Sequence, residues 1–539
     1  MKRKNYRLKI ALGFVFATAC FGFNFGFLVA AQETQRNRIT ATPTPTATPA
    51  ITPTPAPVQV QVQTLDELQS RIRLALLRPE LQRGQVGIKV VSLDTNKTLF
   101  EQNAEKYFMP ASNMKSYTVA AALERLSPDF RFVTSVFASE KPDANGAVKG
   151  LTIYGRGDVS FSTAFNDGDY YKSLDALAEK IAQSGVKRIE GDLVGDESYF
   201  TGNPIAVTWE WDDLQWYYGA EISALAVNDN AVDLSVKPGA VEKPCVVQIL
   251  PANTIVKINN TCITSASGTK RDVRVVKKLD QNVIEISGTM PAGDKGYTAY
   301  ISVTRPAELF IALLRQRLEQ KGVIITGQNR VIGTRDKAFL AVASSVPPVE
   351  IARIESPPLA LIAAKTMKPS QNTYTETILW ALGEQIGNKS DPKSTSAERG
   401  IAVVQAFLRQ VGISADSIVQ WDASGLSRHN MVTPASLIQL YTYMAKQSRY
   451  AEAWRNSLTI AAIDGTLATR FKGTVAAGNV RGKTGTIDQV SALSGYVTTA
   501  SGEKLVFSII VNGVPDTRAR PATIDEIILA LAGFNGRTN

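Results

Sequence analysis

The chain turns on Ser112 and Lys115, three residues apart. Pro110 precedes them, and the helix-forming run Val119-Ala120-Ala121-Ala122-Leu123 follows. The composition predicts that Ser112 begins a helix and that Lys115 lies one turn away on the same face. A serine hydroxyl is a poor nucleophile until a neighbouring base takes its proton. A lysine amine can be that base only where burial and nearby positive charge push its pKa down. Ser-x-x-Lys also occurs at Ser184–Lys187, Ser267–Lys270, Ser390–Lys393 and Ser501–Lys504, where a helix cap or a solvated pair is explanation enough. What sets Ser112 apart is its setting and two later motifs.

Other chemistries are narrowed by what the chain lacks. It has a single histidine, His429, so a Ser-His-Asp enzyme would have to use that one residue as its base. A zinc peptidase normally needs two or more histidines, or cysteines in their place, and metal catalysis is not expected. Of three cysteines, Cys20 lies in an N-terminal apolar run. Cys245 and Cys262 remain, either as a disulfide or as two buried thiols. Lys and Arg total 59 against 49 Asp and Glu, a net charge of +10. That suits an anionic surrounding such as a membrane surface or cell-wall polymer. No arginine cluster with interleaved aromatics appears, so no nucleic-acid partner is expected.

Along the chain, residues 1–31 carry a basic start followed by an apolar run, and read as a secretory signal peptide or an uncleaved membrane anchor. Residues 32–62 contain a Thr/Pro-rich run, an extended linker that would hold a domain off a membrane. A helix is predicted over 65–77, then a hairpin over 86–100, leading to the serine helix. About 200 residues of strands and short helices follow, with helices predicted over 174–182 and 306–321 and a β-rich stretch over 226–301. Near the end, strands are predicted at 480–486, 492–498 and 505–511, with a helix over 522–531. The expected fold is α+β and multi-domain. Segments 63–138 and 346–539 form one domain, an antiparallel sheet backed by helices. It is split by an insertion at 139–345 that holds a nested β-rich domain at about 226–301.

Ser112-x-x-Lys115, Ser370-Gln371-Asn372 and Lys483-Thr484-Gly485 occur in that order, and the triple is the signature of penicillin-binding proteins and class A β-lactamases. With 258 residues from Ser112 to Ser370, the chain resembles the type-4 low-molecular-mass penicillin-binding proteins. These are serine-type D-alanyl-D-alanine carboxypeptidase/endopeptidases with a β-lactamase-like transpeptidase domain. Ser424-Gly425-Leu426-Ser427-Arg428-His429-Asn430, Asp464-Gly465-Thr466-Leu467 and Ser491-Ala492-Leu493-Ser494-Gly495-Tyr496 match as well. The likeness runs from about residue 65 to 533. One departure is Gln371, where the family often has aspartate.

The resemblance implies roles. Ser112 would attack the D-Ala-D-Ala carbonyl, Lys115 would take its proton, and Ser370 would relay a proton to the leaving amine. Asn372 would hold the substrate amide. Lys483 would add positive potential and, by repulsion, help keep Lys115 neutral. Thr484 and Thr486 would hold the terminal carboxylate within the Lys483-Thr484-Gly485 strand, and the N–H groups of Ser112 and Thr486 would form the oxyanion hole. In Trp209-Glu210-Trp211-Asp212-Asp213, Asp213 would bind the amino end of the substrate's diaminopimelate side chain, and Arg428 its carboxylate. His429 is expected to be a loop residue, not a base. The implied partners are peptidoglycan peptides and, as covalent inhibitors, β-lactam antibiotics. No cofactor and no metal are implied, and the location is exported, periplasmic or otherwise extracytoplasmic, with or without an N-terminal tether. The alternatives are a β-lactamase-like hydrolase, for which no clear deacylating glutamate is seen, and a non-catalytic wall-binding protein.

Overall fold

In a computed structural model, residues 63–334 and 348–538 are described. The signal or anchor segment and the linker lie outside them. No helix among the described residues is long and apolar enough to cross a membrane.

Segments from near the two ends of the described residues meet in one antiparallel sheet. Its six strands run in the order Thr98–Gln102, Gln85–Ser92, Lys504–Asn512, Val490–Thr498, Arg481–Ile487 and Thr459–Ile460. The central strand Lys504–Asn512 shows why the sheet is covered on both faces. Leu505, Phe507, Ile509 and Val511 point to one side, where they pack with Leu68, Ile72, Ile524 and Ile528 of the helices Leu65–Leu76 and Ala519–Ala532. Val506 and Ile510 point to the other, into a core that holds Tyr117, Leu123, Ile378 and Trp454. Apolar residues on both phases of a period-two strand leave neither face for water. Ser508 breaks the run and is satisfied by a hydrogen bond from Ser494, 2.9 Å away.

That second core positions the site. The serine helix Lys115–Leu126 packs against Leu359–Met367, Asn372–Gln385 and Ser396–Gln410. The helix Asn372–Gln385 is buried almost all round, as befits a helix with neighbours on every side.

The chain leaves the serine helix through Val133–Ala138, which pairs antiparallel with the returning strand Val349–Glu355. The two join Leu151–Tyr154, Leu193–Asp196 and Asn329–Ile332 in a five-stranded mixed sheet. Helices Lys172–Gln183 and Pro306–Gln320 cover it through Leu177, Ile181, Phe310 and Leu314. Seven short strands between 231 and 302 make two small sheets. Cys245 and Cys262 are joined as a disulfide with Cα atoms 5.4 Å apart, and the Cys245 N–H also donates to the Cys262 carbonyl.

Candidate active site

Ser112 lies in a 3-10 turn, Ala111–Met114, and the α-helix proper begins at Lys115. The turn is pinned by two glycines. Gly425, at φ +81°, sits where a Cβ would meet the Ala111 carbonyl oxygen at 1.8 Å. At Gly485 a Cβ would meet the Pro110 oxygen at 2.6 Å. Backbones can approach this closely only without side chains. Ala111 itself holds a left-handed φ of 46°, a strained conformation for alanine that the surrounding contacts maintain.

Lys115 is fully buried. Its Nζ lies 2.9 Å from the Ser112 Oγ, 2.6 Å from the Asn372 Oδ1 and 2.7 Å from the Ser424 carbonyl oxygen. The Asn372 amide is oriented by its Nδ2, which donates to the Tyr218 carbonyl at 2.9 Å. Two of the three partners can therefore only accept. A neutral amine has two N–H groups and one lone pair, so giving both hydrogens to these oxygens turns the lone pair toward the Ser112 hydroxyl. Burial pushes Lys115 down to about 7, against the opposing pull of Asp422 and Glu376. At the ordinary lysine value roughly one amine in 2,500 would be neutral at pH 7; the lowered value raises that share by orders of magnitude.

The Lys483 Nζ donates to the Ser370 Oγ at 2.8 Å and to the Thr484 carbonyl at 2.9 Å. It too is held well below its ordinary value, by burial and then by Lys115. Burial is the first cause for both amines, and their mutual repulsion adds to it at Lys483. Ser370 has a left-handed φ of 65° between two helices. The turn is braced by Asp464-Gly465-Thr466-Leu467: Thr466 N–H donates to the Lys368 carbonyl, and Lys368 Nζ pairs with Asp464 at 2.5 Å. Thr484 Oγ1 donates to Thr466 Oγ1 at 2.6 Å, while Thr486 is exposed. Gln371 is buried, with its oxygen toward Thr373.

Asp213 and Arg428 lie on segments that meet. Arg428 Nε pairs with Glu210 at 2.9 Å, and its guanidinium donates to the Asp488 carbonyl at 3.0 Å. Asp213 is pushed up to about 6 by burial and by Asp212 and Glu210, against a hydrogen bond from Tyr218 and the charge of Arg428. The insertion thus reaches the Ser370-x-Asn372 turn, since the Tyr218 carbonyl holds Asn372. His429 is exposed and packs edge-on against Trp421.

Two carboxyl groups escaped the sequence reading. Asp422 accepts from the N–H groups of Gly425 and Ser427, from Asn430 and from the Trp209 indole. Glu376 accepts from the N–H groups of Ala423 and Ser424. The signal for Glu376 was its spacing, one turn after Asn372 on the same helix face. Asp422 opens the loop that carries Ser424-Gly425.

The D-Ala-D-Ala carboxypeptidase 3 (S13) family matches residues 68–533. The chain belongs to this family. It is a serine peptidase, a hydrolase of the D-Ala-D-Ala carboxypeptidase class. A D-alanyl-D-alanine carboxypeptidase of Actinomadura sp. (strain R39) is 33% identical over 490 residues, covering 88% of this chain and 86% of that protein. D-alanyl-D-alanine carboxypeptidase DacB of Haemophilus influenzae is 25% identical over 453 residues, 82% of this chain and 89% of that one. The crystal structure of penicillin binding protein 4 from Haemophilus influenzae superposes with a TM-score of 0.71 at 22% identity, over 85% of this chain and 98% of that one. It establishes the shared multi-domain α+β fold.

The glycine contact is testable. Gly425→Ala should lower carboxypeptidase activity on the order of 100-fold by displacing the serine turn. Gly412→Ala, at a similar φ of +85° with open space around it, should cost only about 1 kcal/mol of stability and leave turnover unchanged. Equal activity in the two variants, measured as D-alanine release, would show that the close approach is unimportant.

Proposed function

We propose that this carboxypeptidase works through an acyl-enzyme on Ser112, with Lys115 as the general base, and that it also cleaves cross-linked stem peptides as a DD-endopeptidase. The observation that carries the mechanism is the set of three contacts on Lys115 Nζ. The Ser112 proton passes to the Lys115 nitrogen as the Oγ–carbon bond forms at the D-Ala-D-Ala carbonyl. The N–H groups of Ser112 and Thr486 receive the developing oxyanion, an arrangement commonly worth about 3–4 kcal/mol. The C–N bond then breaks, and Lys115 gives up the proton it took, relayed to the departing D-alanine amine by Ser370, whose hydroxyl is held by Lys483. Water then attacks the ester, losing a proton to the neutral Lys115, and that proton passes to the Ser112 oxygen as the ester C–O bond breaks.

Substrate binding follows the same residues. Asn372 holds the peptide amide. The terminal carboxylate lies against Lys483, Thr484 and Thr486, with Gly485 keeping the strand close. An arriving anion favours the charged form of a buried amine, so the substrate itself restores the Lys483 ammonium. Asp213 and Arg428 bind the two ends of a zwitterionic diaminopimelate side chain, which must exchange with Glu210 for Arg428. Peptidoglycan peptides are the substrates. β-Lactams, whose ring amide imitates the scissile bond, are covalent inhibitors. The Cys245–Cys262 disulfide supports an oxidising, extracytoplasmic setting, which agrees with residues 1–31 as a signal peptide or anchor.

Mass spectrometry of purified muropeptides, monomeric and cross-linked, tests the reading. D-Alanine release and cleaved cross-links are expected from the natural protein, and neither from Ser112→Ala. Fluorescent penicillin should label the first and not the second; labelling that survives the substitution would refute the assignment.

Acylation by penicillin should also depend on pH through Lys115. The neutral amine is the base, so the rate should rise about tenfold per pH unit below 7 and level off above it. A rate flat between pH 5.5 and 8.5 would exclude Lys115 as the base.

A further inference from the structure

For a neutral Lys115 to present its lone pair to Ser112, two other oxygens must take its hydrogens. One is on Asn372, in the first turn of the helix Asn372–Gln385. The other is the Ser424 carbonyl, on a loop. The same helix governs both. Glu376, one turn after Asn372 and 3% exposed, faces the loop. Its Oε1 accepts from the Ala423 N–H at 3.1 Å and from the Ser424 N–H at 2.8 Å, and its Oε2 from the Ala423 N–H at 3.1 Å.

We propose that Glu376 is a positioning residue for the base: by gripping the Ala423 and Ser424 N–H groups it fixes the Ser424 carbonyl against Lys115. The inference rests on the reading of Ser112 and Lys115 given above. The alternative, that Glu376 merely satisfies a buried loop, is less economical. Asp422 already winds that loop, accepting from Gly425, Ser427, Asn430 and Trp209. Glu376 adds the peptide groups on either side of Ala423, next to the one carbonyl that touches Lys115.

The surrounding charges bear on how Glu376 does this. It is faced by Lys115 from the serine helix and Asp422 from the loop, with Lys483 beyond Lys115 on the strand Arg481–Ile487. Burial and the charge of Asp422 push the carboxyl up to about 8, against the backbone hydrogen bonds that favour its ionised form. The grip needs an acceptor oxygen, not a charge, and a glutamine amide oxygen supplies the same acceptor.

The test is stopped-flow acylation by a fluorescent penicillin at pH 7.5, which separates the initial non-covalent affinity from the acylation rate. Glu376→Gln should acylate within about threefold of the natural protein. Glu376→Met, of similar volume but without an acceptor, should lose about 100-fold in acylation rate, the scale of a misplaced general base, with affinity unchanged. Glu376→Met acylating within twofold of the natural protein, or Glu376→Gln as slow as Glu376→Met, would overturn the proposal. Should Glu376→Met not fold, Glu376→Asp, whose carboxyl is withdrawn by one methylene, takes its place: slow acylation at unchanged affinity supports the proposal and natural acylation overturns it. The natural protein and Ser112→Ala run alongside. If the natural protein does not acylate, the reading of Ser112 fails; if it does, only the role of Glu376 is at stake.

Discussion

The cost of burying one ammonium group underlies this site. Lys115 has no exposed surface, and burial alone would drive its proton off. Asp422 and Glu376 pull the other way. With both carboxyls fully ionised beside it, the amine would hold its proton and could not serve Ser112. With neither nearby, it would be too weak a base to accept one. A balance near 7 falls where an amine can both take and return a proton at physiological pH. The neighbouring Glu376 is itself raised by burial and by Asp422, which moderates the negative field at Lys115.

Holding that balance takes segments from across the chain. Ser112 and Lys115 come from the end of the first hairpin, Asn372 and Glu376 from the helix after the insertion, Ser424 and Asp422 from a loop, and Lys483 from the C-terminal sheet. Tyr218 and Trp209 of the insertion hold Asn372 and Asp422 from outside. The six-stranded sheet makes this convergence possible, because Gln85–Ser92 pairs with Lys504–Asn512, more than 400 residues later. Packing both sheet faces fixes the register, since a slip of one residue would exchange the two faces of Lys504–Asn512.

Much of this was legible in the sequence because the chemistry needs particular residue types at short spacing. Ser112 with Lys115, Ser370 with Asn372, and Lys483-Thr484-Gly485 each carry a local signal, and their order named the family. The strand and helix patterns near both termini indicated a single antiparallel sheet built from the two ends. What stayed hidden depends on distant contacts. Nothing in the local pattern around Glu376 says that its carboxyl faces the loop Asp422–Gly425. The partner of Arg428, Glu210, lies far away in sequence. How completely Lys115 is buried was also hidden, because charge can be counted in a sequence while burial cannot. The pairing of Cys245 with Cys262 depended on the two small sheets that bring them together.

The state of the Lys115 amine is the claim on which the account rests, and it can be observed directly. NMR titration of lysine selectively labelled at the ε-carbon and ζ-nitrogen, with Lys115→Met to assign the resonance, follows that one group through pH. The account predicts a midpoint for Lys115 near 7 in the unacylated protein. A midpoint at about 10, the ordinary lysine range, would mean that the amine stays charged at neutral pH, and Ser112 would then need another base.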